Sequence, residues 1–433
     1  MANLLKKYSN ENLEVKNNTN LIIDDQLFDL MDEDIKSKVA TLESLNVISG
    51  ILDTNERILD SDTSSEVKSV IANQTLTIMS NHGFDVVSLE GSDKDISFIK
   101  YGIKRFFKAI YEMVLDLINA IYKTIKNFID KMVLKIQENI NRSNNALYEM
   151  KKLRDNKPKS STINLEQDGK VLSVNDETPS SFQDILESMS LLKDVSDGYF
   201  SNYDTDIEKG IGELENNVKR FKVNNSLQSL RDTIDLAMKY QGGGAYVYLA
   251  HSDLDSDLAN GKEYVYRSKP LPGSKILTFY KPNLDNYGDD DLARSVELRK
   301  SEGRLEDISD KNPPSGGVID NISLNDMVKI NIMVKDINGR VLKDHLKNKK
   351  TLDKEIRSLS KAISKMKSEA ESSDSIDDGV REHYREIMNH VVSFTKWSVT
   401  PQSSIVKLLV QTSTSVNNIC EKTVDNFRVE SEA

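Results

Sequence analysis

The sequence predicts a mainly α-helical chain with a smaller α+β middle region, on three observations. Apolar residues recur at helical spacings over most of the first 150 positions and again after Ser323. One very long amphipathic stretch, about 96–154, meets no proline until Pro158. Strand-like runs bounded by glycine and proline are confined to 160–282, where β-hairpins are expected.

Composition agrees with long solvated helices. Hydrophobic residues make up 38% of the 433 and charged residues 29%, a mix that suits rods and loops better than one large spherical core. Cys420 is the single cysteine, so no internal disulfide forms, and assembly in a reducing compartment is the natural reading. Leu4-Leu5-Lys6-Lys7 runs into an Asn-rich polar stretch rather than the apolar core of a signal peptide. No window offers the roughly 18 uninterrupted apolar residues expected of a membrane span. The net charge of -11 is uneven: residues 1–90 hold 16 Asp/Glu against 7 Lys/Arg, and residues 91–433 hold 53 against 51. Such a step marks a separable N-terminal segment.

Taken in order, residues 1–20 are polar, and a helical pattern then runs from Leu21 to about Val87. Leu27, Leu30, Met31, Ile35 and Val39 form its first apolar stripe. The run Asp60–Glu66 breaks the pattern and supplies Ser and Thr oxygens to cap a following helix. A boundary is expected near Ser88-Leu89-Glu90-Gly91. Beyond it, Ile99, Ile103, Phe106, Ile110, Val114, Leu117, Ile121, Ile125, Phe128, Met132, Ile136 and Ile140 make one apolar row. Phe107, Tyr111, Ile118, Tyr122, Ile129 and Val133 make a second beside it. The pattern also repeats every 11 residues, close to the natural helical period, so the stripe stays nearly straight. Two rows are too wide for a simple dimer seam, and the rod requires partners on two sides.

After Pro158, Thr162–Val174 reads as a hairpin turning at Asp168-Gly169. Helices are expected over 181–197, 205–221 and 225–240, the last ended by Gly242-Gly243-Gly244. Strands are expected at Ala245–Leu249 and Lys275–Tyr280, with a loop-rich stretch over 281–320. Ser323 with Asp326 caps a helix running to about Glu369. Residues 372–379 form an acidic linker, and two further helices, 379–395 and 402–427, are separated at Pro401. The expected organisation is an acidic helical segment (1–90), the long helix (91–157), an α+β middle (158–320) and a C-terminal helical region (321–433).

Chemical motifs are scarce. The triple glycine lacks the Gly-Lys-Ser/Thr of a phosphate loop. Asp253, Asp255 and Asp257 alternate as in a calcium loop, but Leu258 stands where the turn needs glycine. Asp289-Asp290-Asp291 reads as a solvated acidic loop. The five histidines have no metal-pair spacing, and Cys420 sits among apolar neighbours like a buried small hydrophobe. No catalytic, metal or cofactor site is assigned. An enzyme in the middle region would require a pocket with convergent titratable groups.

The sharp feature is the rod. Over Ile103–Ile136 it carries seven Lys/Arg against three Asp/Glu. Its packing face, Phe106, Phe107, Ile110, Leu117, Ile121 and Phe128, suits other helices, whether of the same chain, of neighbouring proteins or of further copies of this chain. A bilayer surface is the alternative. The acidic leader is the electrostatic complement of this face, and residues 1–90 are expected to shield it until removed.

The order of parts resembles internal head (inner virion) proteins of large tailed bacteriophages of the jumbo type. The resemblance is carried by Ser88-Leu89-Glu90-Gly91, Ile103-Lys104-Arg105-Phe106-Phe107-Lys108-Ala109-Ile110 and Leu271-Pro272-Gly273-Ser274-Lys275-Ile276. It covers most of the chain as architecture, through short motifs, and implies a non-enzymatic structural protein inside the phage head, assembled in the host cytoplasm. It also implies a head maturation protease that cuts after glutamate in a small residue–x–Glu context. Ser88-Leu89-Glu90 fits, as do Ser64-Ser65-Glu66 and Ser295-Val296-Glu297. The change of charge and pattern favours cleavage after Glu90, leaving a nearly neutral body to pack beside DNA without strong repulsion or sequence-specific binding.

Overall fold

In a computed structural model the described residues are 19–81, 96–199, 204–240, 253–254, 263–288, 290–308, 316–371 and 378–428, apart from some side chains within the helices. Four long helices dominate: α1 (Thr19–Asp60), α3 (Ile96–Leu153), α9 (Leu324–Glu371) and α10 (Asp378–Phe427). The 58 residues of α3 make a rod of roughly 85 Å at 1.5 Å per residue. Its bounds agree closely with the long periodic stretch.

The hydrogen bonds fix the directions. Tyr122 meets Ser398, Asn139 meets Thr414 and Arg142 meets Asn418. Both series rise together, so α3 and α10 are parallel. Asn331 donates to Ser143, and Ser360 to Asn119, which makes α9 antiparallel to the rod. Thr124 meets Asp34 while Lys100 pairs with Asp60, so α1 is antiparallel too. The short helix α2 (Ser65–Asn81) folds back on α1, where Asn55 Nδ2 donates to Thr75 Oγ1 at 3.1 Å inside the hairpin. The break between α1 and α2 falls where the Asp/Ser run predicts it, with Ser64 Oγ accepting from the Val67 amide.

A lateral layer completes the molecule. Helices α5 (Phe182–Gly198) and α6 (Asp204–Arg220) follow one another along α9, tied by Arg340–Asp197 at 3.1 Å and Lys222–Glu369 at 3.5 Å. Helix α7 (Ser226–Lys239), helix α8 (Asp291–Leu298) and the antiparallel sheet β2-β3-β4-β5 (Asp253–Leu254, Glu263–Arg267, Lys275–Pro282, Glu302–Asp307) flank the first half of α10. Phe394 of that half lies edge-on to Tyr240 at 6.4 Å. Gly210 permits this approach, since any Cβ there would strike the Phe394 ring. One contiguous apolar core runs from Ile35 to Val424.

Three expectations require correction. Thr162–Val174 is not a hairpin: β1 (Thr162–Asn164) pairs with the distant β6 (Val318–Asp320), and Gln167–Leu172 is a short helix, α4. Asp168-Gly169 is used for tertiary contact instead. Asp168 accepts from Asn418 and Lys422, and Gly169 is needed because a Cβ would overlap the Gly316 carbonyl oxygen. Pro401 does not separate two helices, for α10 is continuous through it. Trp397, Ser398, Ile405 and Val406 on either side are fully buried, and packing of this extent offsets the roughly 3 kcal/mol that an interior proline costs. The 281–320 stretch holds α8 and β5. Asp290, read as a solvated acid, caps α8 by accepting from the Ala293 amide at 3.0 Å, and Asp291 pairs with Arg231. Gly242-Gly243-Gly244 and the strand expected at Ala245–Leu249 lie outside the described residues.

Candidate functional site

The rod and what covers it form the candidate site. Along α3, Ile99, Ile103, Val114, Ile118, Ile121, Phe128, Met132, Ile136, Ala146 and Met150 are buried, while Arg105, Glu112, Asp116, Lys123 and Lys131 point to solvent. Ile121 and Phe128 are wholly enclosed and Leu117 is half-buried. Phe106, Phe107 and Ile110 lie on α3, but their side chains are outside the described set, as is the whole of Ser88-Leu89-Glu90-Gly91. The rod's partners are helices of its own chain: α1 on the first half, with α9 and α10 along it.

The leader is therefore not free-standing. Ile35, Val39, Leu45, Ile48, Leu52 and Leu59 of α1 turn inward, with Leu52 and Leu59 fully buried. At about 1.5–3 kcal/mol for each large apolar side chain, this stripe outweighs the exposed ion pairs, of which Lys100–Asp60 joins leader to rod and Arg57–Glu382, at 3.3 Å, joins leader to α10. Apolar burial holds the contact, and the ion pairs lie at its edge.

The second half of the rod hides a polar seam that periodicity did not reveal. Asn139 is fully buried, donates to the Val410 carbonyl at 3.2 Å and accepts from Thr414 at 3.1 Å, while Asn417 donates to its carbonyl at 2.9 Å. One turn on, buried Ser143 accepts from Asn331, and Asn338 donates to Ser413 at 2.8 Å. Arg142 grips Glu421 with two hydrogen bonds, at 2.8 and 2.6 Å. Buried amides paired this way penalise any slip of one helix along another, because a slip would leave them unsatisfied. The seam locks α3, α9 and α10 in register.

Between α8 and α10 lies a group that superficially resembles a hydrolase triad. Ser295 Oγ is 2.8 Å from His390 Nε2 and 3.0 Å from Glu386 Oε2. The carboxylate, however, meets the serine rather than the far side of the imidazole, and His390 Nδ1 has no partner. Serine has one proton, which the carboxylate attracts, so His390 donates to Ser295 instead of removing its proton. Burial, with the Arg299 guanidinium beside it, holds His390 down at about 3, too low for a general base at neutral pH. Ser295 and His390 are also shut off from solvent. The group is a clamp joining two helices.

This clamp carries a pH prediction. The folded pKa of His390 lies below its unfolded value of roughly 6.5, so the unfolded state binds the extra proton between those values. Its contribution to stability is complete above about pH 6.5 and declines as pH falls towards 3, at up to about 1.4 kcal/mol per pH unit. Urea unfolding at pH 7 and pH 5 checks this: His390→Leu should lose less stability between the two than the parent, and equal losses would contradict it.

Other candidates resolve into structure. Cys420 is buried and its thiol is pushed up to about 12 by that burial, which keeps it protonated and unreactive. Among the described residues no three His, Cys, Asp or Glu converge as metal ligands, and no helix is long and apolar enough to cross a membrane. A cleft of about 370 Å³ between α6 and α7 has mixed charge; there Lys239 pairs with Glu213 at 2.7 Å and Asn217 donates to the Asp232 carbonyl.

Comparison with known proteins decides the family. The model of the phiKZ-like phage internal head proteins matches residues 22–422. The chain belongs to this family. It is thus a structural component of the phage head interior, working among other virion components, as the resemblance implies. The matched span begins within α1 and ends near the end of α10, so rod, seam and all but the first turn of the leader helix fall inside it. No curated protein and no solved structure matches the chain.

Proposed function

We propose that this phiKZ-like internal head protein is a non-enzymatic packing element made as a precursor, in which residues 1–90 cover the rod until a head maturation protease cuts after Glu90. The observation that carries the reading is the acidic leader laid along the basic first half of α3 as an outer layer. Removing it would uncover an apolar stripe beside exposed Arg105 and Lys123, which other virion proteins or further copies could then meet, with packaged DNA nearby. The body left behind is almost neutral.

Local structure counts against the alternative bonds. A protease needs an extended segment, whereas Ser295-Val296-Glu297 lies in helix α8 with Ser295 fully buried and held by His390 and Glu386. Ser64-Ser65-Glu66 starts α2, with exposed side chains, and a cut there would leave α2 attached. Membrane action by 96–140 would require α1, α9 and α10 to leave the faces they bury, which makes it the less favoured reading. Peptide mass spectrometry of protein from mature heads should find a new N-terminus at Gly91 and no peptide from 1–90; an intact leader in finished heads would refute the precursor reading.

A further inference from the structure

We propose that the α1–α2 hairpin is an exchangeable arm, and that the groove it fills on α3 and α10 also docks the same hairpin from a second copy of this chain. This goes beyond the cleavage reading and does not depend on it.

Four observations lead there. The hairpin is an outer layer whose main neighbours are α3 and α10, so it can depart without dismantling the seam of Asn139, Asn331 and Asn417. Helix α1 carries ten Asp/Glu against three Lys/Arg, and its ion pairs Asp60–Lys100 and Arg57–Glu382 form equally well whichever chain supplies each partner. Fully buried Leu52 and Leu59, with Ile35 nearly so, form a stripe too costly to leave in water. An arm that leaves its own groove therefore needs an equivalent one, and a second copy supplies an identical surface. Lastly, 14 residues separate Asn81 from Ile96, a length whose maximal span of about 45–50 Å reaches an adjacent molecule.

Arm and groove are different surfaces, so the contact is heterologous. Reciprocal exchange gives a closed pair, and onward exchange gives a chain of copies. Copies would thereby be linked, with Asp60–Lys100 and Arg57–Glu382 re-formed between molecules.

Cross-linking of full-length protein tests this. Asp60→Cys and Lys100→Cys are introduced in separate chains, co-expressed, oxidised and run without reductant; native Cys420 is buried and stays silent. The pair should give a linked species of two chains that neither variant gives alone, and adding Leu52→Asp to the Asp60→Cys chain should remove it. The double variant Asp60→Cys/Lys100→Cys should also close within one chain. Closure within single chains combined with no linked pairs in the mixture would overturn the proposal. Failure of the double variant to close would remove the α1–α3 contact itself, and the proposal with it. No protease enters the experiment, so an intact leader in mature heads and an absence of exchange are separate results.

Discussion

Phe128→Ala should lower the unfolding free energy by about 3–5 kcal/mol, the usual cost of deleting a buried aromatic ring. Phe128 is fully enclosed at the middle of the rod, where α3 lies between other long helices. A cavity there cannot collapse easily, because helices pinned by the seam on one side resist moving together. Leu134→Ala on the same helix is the matched control: Leu134 is 57% exposed, and its loss should change stability by no more than about 0.5 kcal/mol. Urea unfolding followed by circular dichroism measures both, and similar midpoints for the two variants would contradict the assignment of faces.

Asn139→Ala should have the second large effect, about 1–3 kcal/mol, from a different cause. Its side chain is the shared partner of Val410, Thr414 and Asn417 across two helices. Removing it takes the acceptor from one N–H of buried Asn417, at about 1–3 kcal/mol for a group left unpaired, while Asn417 keeps the Asn139 backbone carbonyl and Thr414 keeps that of Val410. If unmet polarity is the cause, Asn139→Leu combined with Asn417→Leu should regain more than half of the loss, since apolar side chains leave no amide to satisfy. The same pair should also relax the register between α3 and α10, read as broader amide resonances. A neutral Asn139→Ala would mean that the seam is filled by water and fixes nothing.

The rod is legible because its signal is redundant: a dozen apolar positions agree on one face, and no proline contradicts them. The seam is not, because an asparagine on a helix looks the same whether it faces solvent or a partner's carbonyl. A signal was nonetheless present. Asn139 and Ser143 lie one turn apart on the inward face, where Met132, Ile136 and Ala146 set an apolar expectation. Pro401 and Asp168-Gly169 misled for a shared reason. Each has a strong local preference, and each is overruled by burial, of Trp397 and Val406 in one case and of Asp168 against Asn418 in the other. The scissile segment proposed at Glu90 rests on the sequence alone, through the charge step and the small-x-Glu context. The leader's placement along the rod has a basis in opposite charge, but nothing in the sequence marks Leu52 and Leu59, which fasten it, apart from the other apolar residues of α1.

The central idea is a cover that can leave a body that stays folded. Native-state hydrogen exchange of the full-length chain, read by mass spectrometry, addresses it directly, because cooperative units open at their own free energies. Amides of α1, residues 19–60, should exchange through an opening of lower free energy than those of 132–150 and 403–427, where the seam holds the helices. Exchange of all three segments together, at one common free energy, would show that leader and rod form a single inseparable unit and would contradict the idea of a removable cover.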